Sequence, residues 1–296
     1  MVNVKKKLKE NLTAYAFIAA FLILYLVFNF YTLIQGFFVS LNDWRITNDM
    51  TFVGIKNYLD ILQDSTFLLA LCNTIKYVLI STPVYIVGAF LLAYIVESKL
   101  IRRKSFFRAT FFLPNVLAVS IIAVIWRYMF QPYTGLINST LHMLGIRGEP
   151  FWVTQESLVW PSIIIMTFWW NVGYYMILYM AGLQDIPEEL YEASDLEGAN
   201  LWQRLRYIVI PYLKPIHALV LFLQMIASFK IFGQVYLVTN GGPSGASRML
   251  IQYIYETGFS KFDMGTASAA AFVLFIIVFL FSLPMFKALN SGNEER

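Results

Sequence analysis

Residues Ile186–Pro211 read IPEELYEASDLEGANLWQRLRYIVIP, the longest charge-rich interval in a chain that is otherwise mostly apolar. Pro187 stands where a first helical turn tolerates a missing N–H, and Glu188 and Glu189 follow where the helix dipole favours anions. Leu190, Ala193 and Leu196 recur at helical spacing, so a short amphipathic helix can present one apolar stripe. Gly198 breaks it, and Leu201–Ile210 starts again before Pro211. The spacing predicts two short helices at a membrane surface, joined at a glycine.

The membrane is implied by composition. The 296 residues are 58% hydrophobic and 14% charged, against ~25% charged in soluble domains. A single cysteine, Cys72, excludes an intrachain disulfide. The N-terminal MVNVKKKLKE precedes an uncharged run from Asn11 to Asn42. That run far exceeds the ~7–15 residues of a signal-peptide core, so it reads as a retained anchor.

Six stretches approach the ~20 apolar residues that cross a bilayer: about 13–40, 77–96, 109–126, 158–183, 212–238 (interrupted by Lys230) and 264–286. The expected fold is all-α and polytopic, a single membrane domain over 1–296. Lys5, Lys6, Lys7, Lys9, Lys99, Arg102, Arg103, Lys104, Arg108, Arg204, Arg206, Lys214, Lys287 and Arg296 fall on one side; Arg45, Lys56, Arg147, Arg248 and Lys261 fall on the other. The positive-inside rule then puts both termini and the Glu192 loop in the cytoplasm.

Catalytic chemistry is not legible. No G-x-x-x-x-G-K-[ST] phosphate loop, His-Glu-x-x-His or paired cysteine occurs, and His142 and His217 are far apart in sequence. His217 reads as a packed or interfacial histidine. The chain is expected not to be an enzyme, with no metal and no nucleic acid. The spans contain essentially no carboxylate, which argues against an ion-coupled secondary transporter.

Polar groups at membrane depth face the protein interior or a water-filled path. The fourth span carries Thr167, Trp169, Trp170, Asn171, Tyr174 and Tyr175; the fifth carries Gln224, Ser228 and Lys230. Thr167, Asn171 and Tyr174 share one helical face, as do Gln224 and Ser228. Aromatic rings beside amides and hydroxyls suit a sugar. The same groups can equally join helices across a bundle, and residue type alone leaves the two roles level.

Glu192-Ala193-Ser194, Gly198-Ala199 and Ile208-Val209-Ile210-Pro211 resemble the EAA loop of binding-protein-dependent ABC importer permeases, E-A-A, three residues, G, nine residues, I-x-L-P. Ser194 replaces the second Ala and Ile210 the Leu. The resemblance implies a type I importer permease whose loop is a cytoplasmic coupling helix docked on an ATPase, with Glu188, Glu189, Glu192, Ala193, Ser194, Gly198 and Ala199 in that contact. Phe52–Tyr58 (FVGIKNY), Leu113-Pro114, Thr239–Pro243 (TNGGP) and Phe262–Gly265 (FDMG) are similar to the carbohydrate branch, which includes maltose, glycerol-phosphate and oligosaccharide permeases. Alignment to that branch implies sugar contacts at Thr167, Asn171, Tyr174, Gln224, Ala227 and Ser228. Lys230 is a further candidate, able to meet an acidic sugar or phosphate, pair with a carboxylate, or snorkel outward. Relatives in the branch carry F-K-x-F-D there, and this chain has Gly233 for the aspartate.

The resemblance further implies a second homologous permease, two ATPase subunits carrying ATP and magnesium, and an extracytoplasmic sugar-binding protein received on outer loops that include Thr239–Pro243. The setting is a bacterial or archaeal plasma membrane. No cofactor is expected on this chain. A non-sugar solute such as glycerol phosphate is the alternative cargo.

Overall fold

The computed structural model describes residue 15 and residues 17–45, 47–98 and 101–294, with side-chain environments as far as 285. Lys5, Lys6, Lys7, Lys9, Lys99 and Arg296, the side chain of Lys287 and the start of the first span at Thr13 lie outside the described residues.

In chain order the helices are α1 (Phe17–Ser40), α2 (Lys56–Gln63), α3 (Ser65–Glu97), α4 (Lys104–Phe112), α5 (Val119–Met129), α6 (Leu136–Met143), α7 (Glu156–Gln184), α8 (Glu188–Leu196), α9 (Leu201–Tyr212), α10 (Lys214–Phe229), α11 (Gly233–Val238), α12 (Leu250–Tyr255) and α13 (Met264–Glu294). A two-stranded antiparallel hairpin, β1 (Asn42–Asp43) with β2 (Thr51–Phe52), is the sheet among the described residues. Helices α1, α3, α7 and α13 are each long and apolar enough to cross a membrane, and the number rises to six if the bent pairs α4–α5 and α9–α10 each count as one span. An apolar segment that spans lipid has to satisfy its backbone internally, which is why helices take these stretches.

The helices fall into two compact units: up to Asp64 together with Ile254–Val273, and Ser65–Tyr253 together with the chain from Leu274. In the smaller unit, buried Asn57 donates from Nδ2 to the carbonyls of Ser40 (2.9 Å) and Asn42 (2.8 Å). Gly265 packs against the same Asn42 carbonyl so closely that a methyl group would collide with it. The FVGIKNY and FDMG stretches therefore meet in one knot. The most apolar part of α1 has no buried residue, so nothing within its own unit covers it.

The larger unit is built on α3, α7 and α10, whose contact is lined by Tyr85, Phe90, Tyr175, Met176, Tyr179 and Val220. Small residues let the backbones approach, as membrane helices require. A Cβ on Gly173 would run into the carbonyl of Phe111, and one on Gly182 would lie 2.7 Å from Ile216.

Three features depart from straight spans. Helix α3 begins at Ser65, twelve residues before the apolar stretch at Tyr77, because its ladder continues past exposed Lys76. The third stretch is broken: α4 ends in a short 3-10 turn, Leu113–Val116, with Pro114 in its first turn, and α5 leaves at 100°. Proline lacks the N–H that the ladder needs. The fifth is bent by 68° at Leu213, between Pro211 and Pro215, and stops at Phe229 before the separate α11.

The two ends of α3 meet different loops. At its start, Asn73 donates to the carbonyls of Gly245 (3.0 Å) and Arg248 (3.1 Å). At its end, Glu97 accepts from Lys104, Arg108 and Gln184, each at 2.6 Å. The loop after α3 and the end of α7 thus share one end of the unit, and the chain after α11 lies at the other.

Candidate functional site: a polar cavity and an exposed helix pair

A cavity of about 200 Å³ opens between α3, α7, α10 and the chain after α10. Five sequence-derived candidates line it: Thr167 and Asn171 on α7, and Gln224, Ala227 and Ser228 on α10. Tyr174 does not; it is 40% exposed and its ring lies 5.2 Å from that of Tyr175, which does line the cavity. Lys230, exposed at the end of α10, is also outside the lining. The aromatic cluster of the fourth span divides: Trp170 faces the cavity, whereas Trp169 packs on Trp126 at 5.8 Å.

Polar groups around the cavity hold one another in place. Gln224 Nε2 donates to Ser228 Oγ (3.0 Å), which pairs with Ser81 Oγ (3.2 Å). Asn115, inside the break of the third span, donates to Asn171 Oδ1 (3.0 Å), and Asn171 Nδ2 donates to the Thr167 carbonyl (3.2 Å). The break also frees the carbonyl of Leu117, which accepts from Trp170 Nε1 at 3.2 Å. A kinked backbone at membrane depth is thus satisfied by the residues that shape the cavity.

Reading the fourth and fifth spans misses the third wall. Tyr77 and Tyr85 of α3, both 1% exposed, line the cavity, and Ser81 between them in sequence bonds Ser228 behind the lining. The signal was present: Tyr77, Ser81 and Tyr85 lie at i, i+4 and i+8, one face of a helix. Gln234 and Ile231, beyond the α10 break, complete the lining.

The stretch Ile186–Pro211 forms α8 and α9, joined through Gly198 at φ +69°. Pro187 takes the position before the first turn, with Glu188 and Glu189 inside it. The Ser194 carbonyl accepts from Ala199 N (2.9 Å), and Asn200 caps α9 reciprocally with Gln203. An Arg204–Asp195 ion pair ties the two helices together. Helix α8 packs inward through Tyr191 and buried Ser194. Burial pushes the Tyr191 phenol up, the neighbouring Tyr94 adds to this, and Arg204 pulls the other way. The opposite side is bare: Leu190, Glu192, Ala193 and Leu196 are exposed, Leu196 by 90%. So are Leu201 and Trp202 on α9. The pair therefore presents an uncovered apolar face edged with carboxylates.

Residues 65–290 match the family described as binding-protein-dependent transport system inner membrane component. The chain is 35% identical to a probable ABC transporter permease protein, YurN, of Bacillus subtilis, over 97% of this chain and 99% of that one. It is 32% identical to the arabinooligosaccharides transport system permease protein AraP of the same organism, over 95% of this chain and 90% of that one. In fold it is similar to a chain in the crystal structure of a bacterial ABC transporter involved in the import of the acidic polysaccharide alginate. The TM-score is 0.82 at 21% identity, over 98% of this chain and 99% of that one. The matched family, spread over three-quarters of a chain whose apolar helices pass through a membrane several times, makes this protein a multi-pass permease of the binding-protein-dependent transport systems.

Proposed function

We propose that the chain is one half of the translocation pathway of an ABC importer that carries a sugar or oligosaccharide into the cytoplasm. A second, homologous permease forms the other half. Two ATPase subunits, with ATP and magnesium, act on the α8–α9 pair, and an extracytoplasmic binding protein delivers the cargo to the opposite face. Relatives named for oligosaccharide transport support the cargo class.

The observation that carries the reading is the position of α8–α9 in the chain. It connects α7 to α10, the two helices that supply Thr167, Asn171, Gln224, Ala227 and Ser228 to the cavity. Asn171 lies thirteen residues from the end of α7, about 20 Å at 1.5 Å per residue. Force applied at the exposed face reaches the cavity through two helices. Glu188, Glu189, Glu192 and Ala193 belong to that contact and Gly198 and Ala199 to its hinge, whereas Ser194 turns inward and seats α8 on the bundle. To drive transport, the pair must fit one state of the ATPase dimer better than another. The charge of Arg102, Arg103, Lys104, Arg108, Arg204, Arg206 and Lys214 supports reading this end as cytoplasmic, with both termini on the same side. The chain after α11, with Thr239–Pro243, faces the binding protein.

The test is ATP hydrolysis by the full complex in lipid, with and without sugar-loaded binding protein, for wild type and Glu192→Lys. Stimulation by the loaded protein that is lost in the variant, with weaker retention of the ATPases, is expected. Unchanged stimulation would leave α8–α9 an ordinary surface helix pair.

A further inference from the structure

Helix α2 divides its surface three ways. Asn57 and Ile61 are buried against the protein. Ile55 at its cap, Leu59 and Leu62 fall at i, i+4 and i+7, and each is at least half exposed. Lys56, Asp60 and Gln63 are exposed as well. At about 100° per residue these three sets occupy separate sectors of the helix, one turned to the protein, one apolar and one polar. Phe52, 73% exposed on β2, adds a fourth apolar group just ahead of the helix.

Two spans fix the height at which this stripe sits. Helix α1 has 24 residues, about 36 Å at 1.5 Å per residue, enough for ~30 Å of hydrocarbon. Its uncharged run ends at Asn42, with Asp43 and Arg45 close behind. Helix α13 starts at Met264, directly after Lys261 and Asp263. Charge therefore marks a hydrocarbon boundary on both spans, and the two marks coincide. Met264 N donates to the Trp44 carbonyl (2.9 Å), and Arg45 pairs with Asp263 (3.7 Å). Helix α2 is tied in at the same level. Asn57 bonds the carbonyls of Ser40 and Asn42, Tyr58 Oη pairs with Ser40 Oγ at 2.6 Å, and Phe52 faces Asn42 across the hairpin.

We propose that α2 is an interfacial helix, with Ile55, Leu59, Leu62 and Phe52 set into the boundary between headgroups and acyl chains. The occupant of the stripe is lipid, because the stripe continues the surface of α1, whose most apolar part has no buried residue. Lys56 and Asp60 cancel in charge, so the seating draws on apolar area and not on anionic headgroups. It sets the depth at which both spans end. The inference depends neither on the cargo nor on which leaflet this is.

The experiment uses the complete transporter (both permeases with the ATPases) in phosphatidylcholine nanodiscs. In a Cys72→Ser background, Leu59→Cys, Leu62→Cys, Asp60→Cys and Gln63→Cys each carry one bimane label. Phosphatidylcholine with a nitroxide near the headgroup end of its acyl chain should quench the Leu59→Cys and Leu62→Cys labels about twofold more than the other two. Iodide should quench in the reverse order, and replacing part of the lipid with phosphatidylglycerol should change neither result.

Equal access of iodide to all four labels would overturn the proposal. So would Leu59→Cys and Leu62→Cys labels shielded from both quenchers, which would put the second permease on the stripe, or shielding that arises only when binding protein is added. Nitroxide quenching that requires phosphatidylglycerol would overturn it too. The unmodified transporter gives a check that no substitution can disturb. Phosphatidylcholine carrying an aryl diazirine near the acyl carbonyl should leave adducts mainly on Phe52, Ile55, Leu59 or Leu62. Adducts on α1 with none on these residues would remove α2 from the membrane surface whatever the variants show.

Discussion

Single atoms decide several contacts in this protein. Gly173 admits the Phe111 carbonyl against α7, and no side chain can yield there because the obstacle is backbone. Gly173→Ala is expected to destabilise the complex by about 1–3 kcal/mol, read as a lower melting temperature in detergent. Gly198 differs: its φ is +69° and a Cβ there meets nothing within 4 Å. Gly198→Ala should cost about 1–2 kcal/mol of local strain, leave the melting of the helix bundle nearly unchanged, and lower binding-protein-stimulated ATP hydrolysis. Equal losses of melting temperature in the two variants would refute this division. His217, read from sequence as a packed or interfacial histidine, pairs through Nδ1 with the Tyr179 hydroxyl at 2.9 Å and carries Phe90 edge-on at 5.4 Å.

Among the elements, the ends of α3, α4 and α7 depend on one carboxylate. Glu97, with its side chain 12% exposed, takes Lys104, Arg108 and Gln184 together just ahead of the α8–α9 pair. Glu97→Ala leaves two cations facing each other and is expected to cost about 1–3 kcal/mol. It should reduce transport per ATP hydrolysed more than it reduces hydrolysis itself, whereas equal reductions would make Glu97 structural only. Sequence gave no hint of this cluster, because Lys104 and Arg108 count simply as positive charge when topology is weighed. Proline effects were equally hidden: hydropathy is blind to the missing N–H of Pro114, so a span bent by 100° reads as a straight one. The α8–α9 pair was legible in detail, since Pro187, Gly198 and the apolar spacing act locally. What spacing could not give was that Leu190, Ala193 and Leu196 would turn outward while Tyr191 and Ser194 turn in.

At the scale of the molecule, membrane spans and their number follow from length and apolarity, which the bilayer imposes on any sequence. The cavity was only partly legible. Amides and hydroxyls in two apolar spans stood out against their surroundings, whereas Tyr77 and Tyr85 passed as ordinary aromatic residues of a membrane helix. Their role arises from α3 packing against α7, a long-range fact that no local spacing encodes. The bare surface of α1 has the same origin in reverse. Phe17, Phe21, Phe28 and Phe30 are each more than half exposed, rings that a bilayer's hydrocarbon suits. Introducing Asp at Phe28 should reduce yield of the assembled complex, measured by co-purification, about as strongly as the cost of a charge at membrane depth implies.

The joint at Gly198 has a practical corollary. A protease site placed between Gly198 and Ala199 would divide the chain into two pieces, each still anchored in the membrane, the first carrying the α3 and α7 walls of the cavity and the second the α10 wall. After scission the Arg204–Asp195 pair, the packing of α10 on α3 and α7, and the hydrogen bonds of Ser81 and Asn73 to the second piece would still hold the two together. Recognition should survive and pumping should not, so one cut would turn a machine that moves its cargo into a receptor that merely holds it.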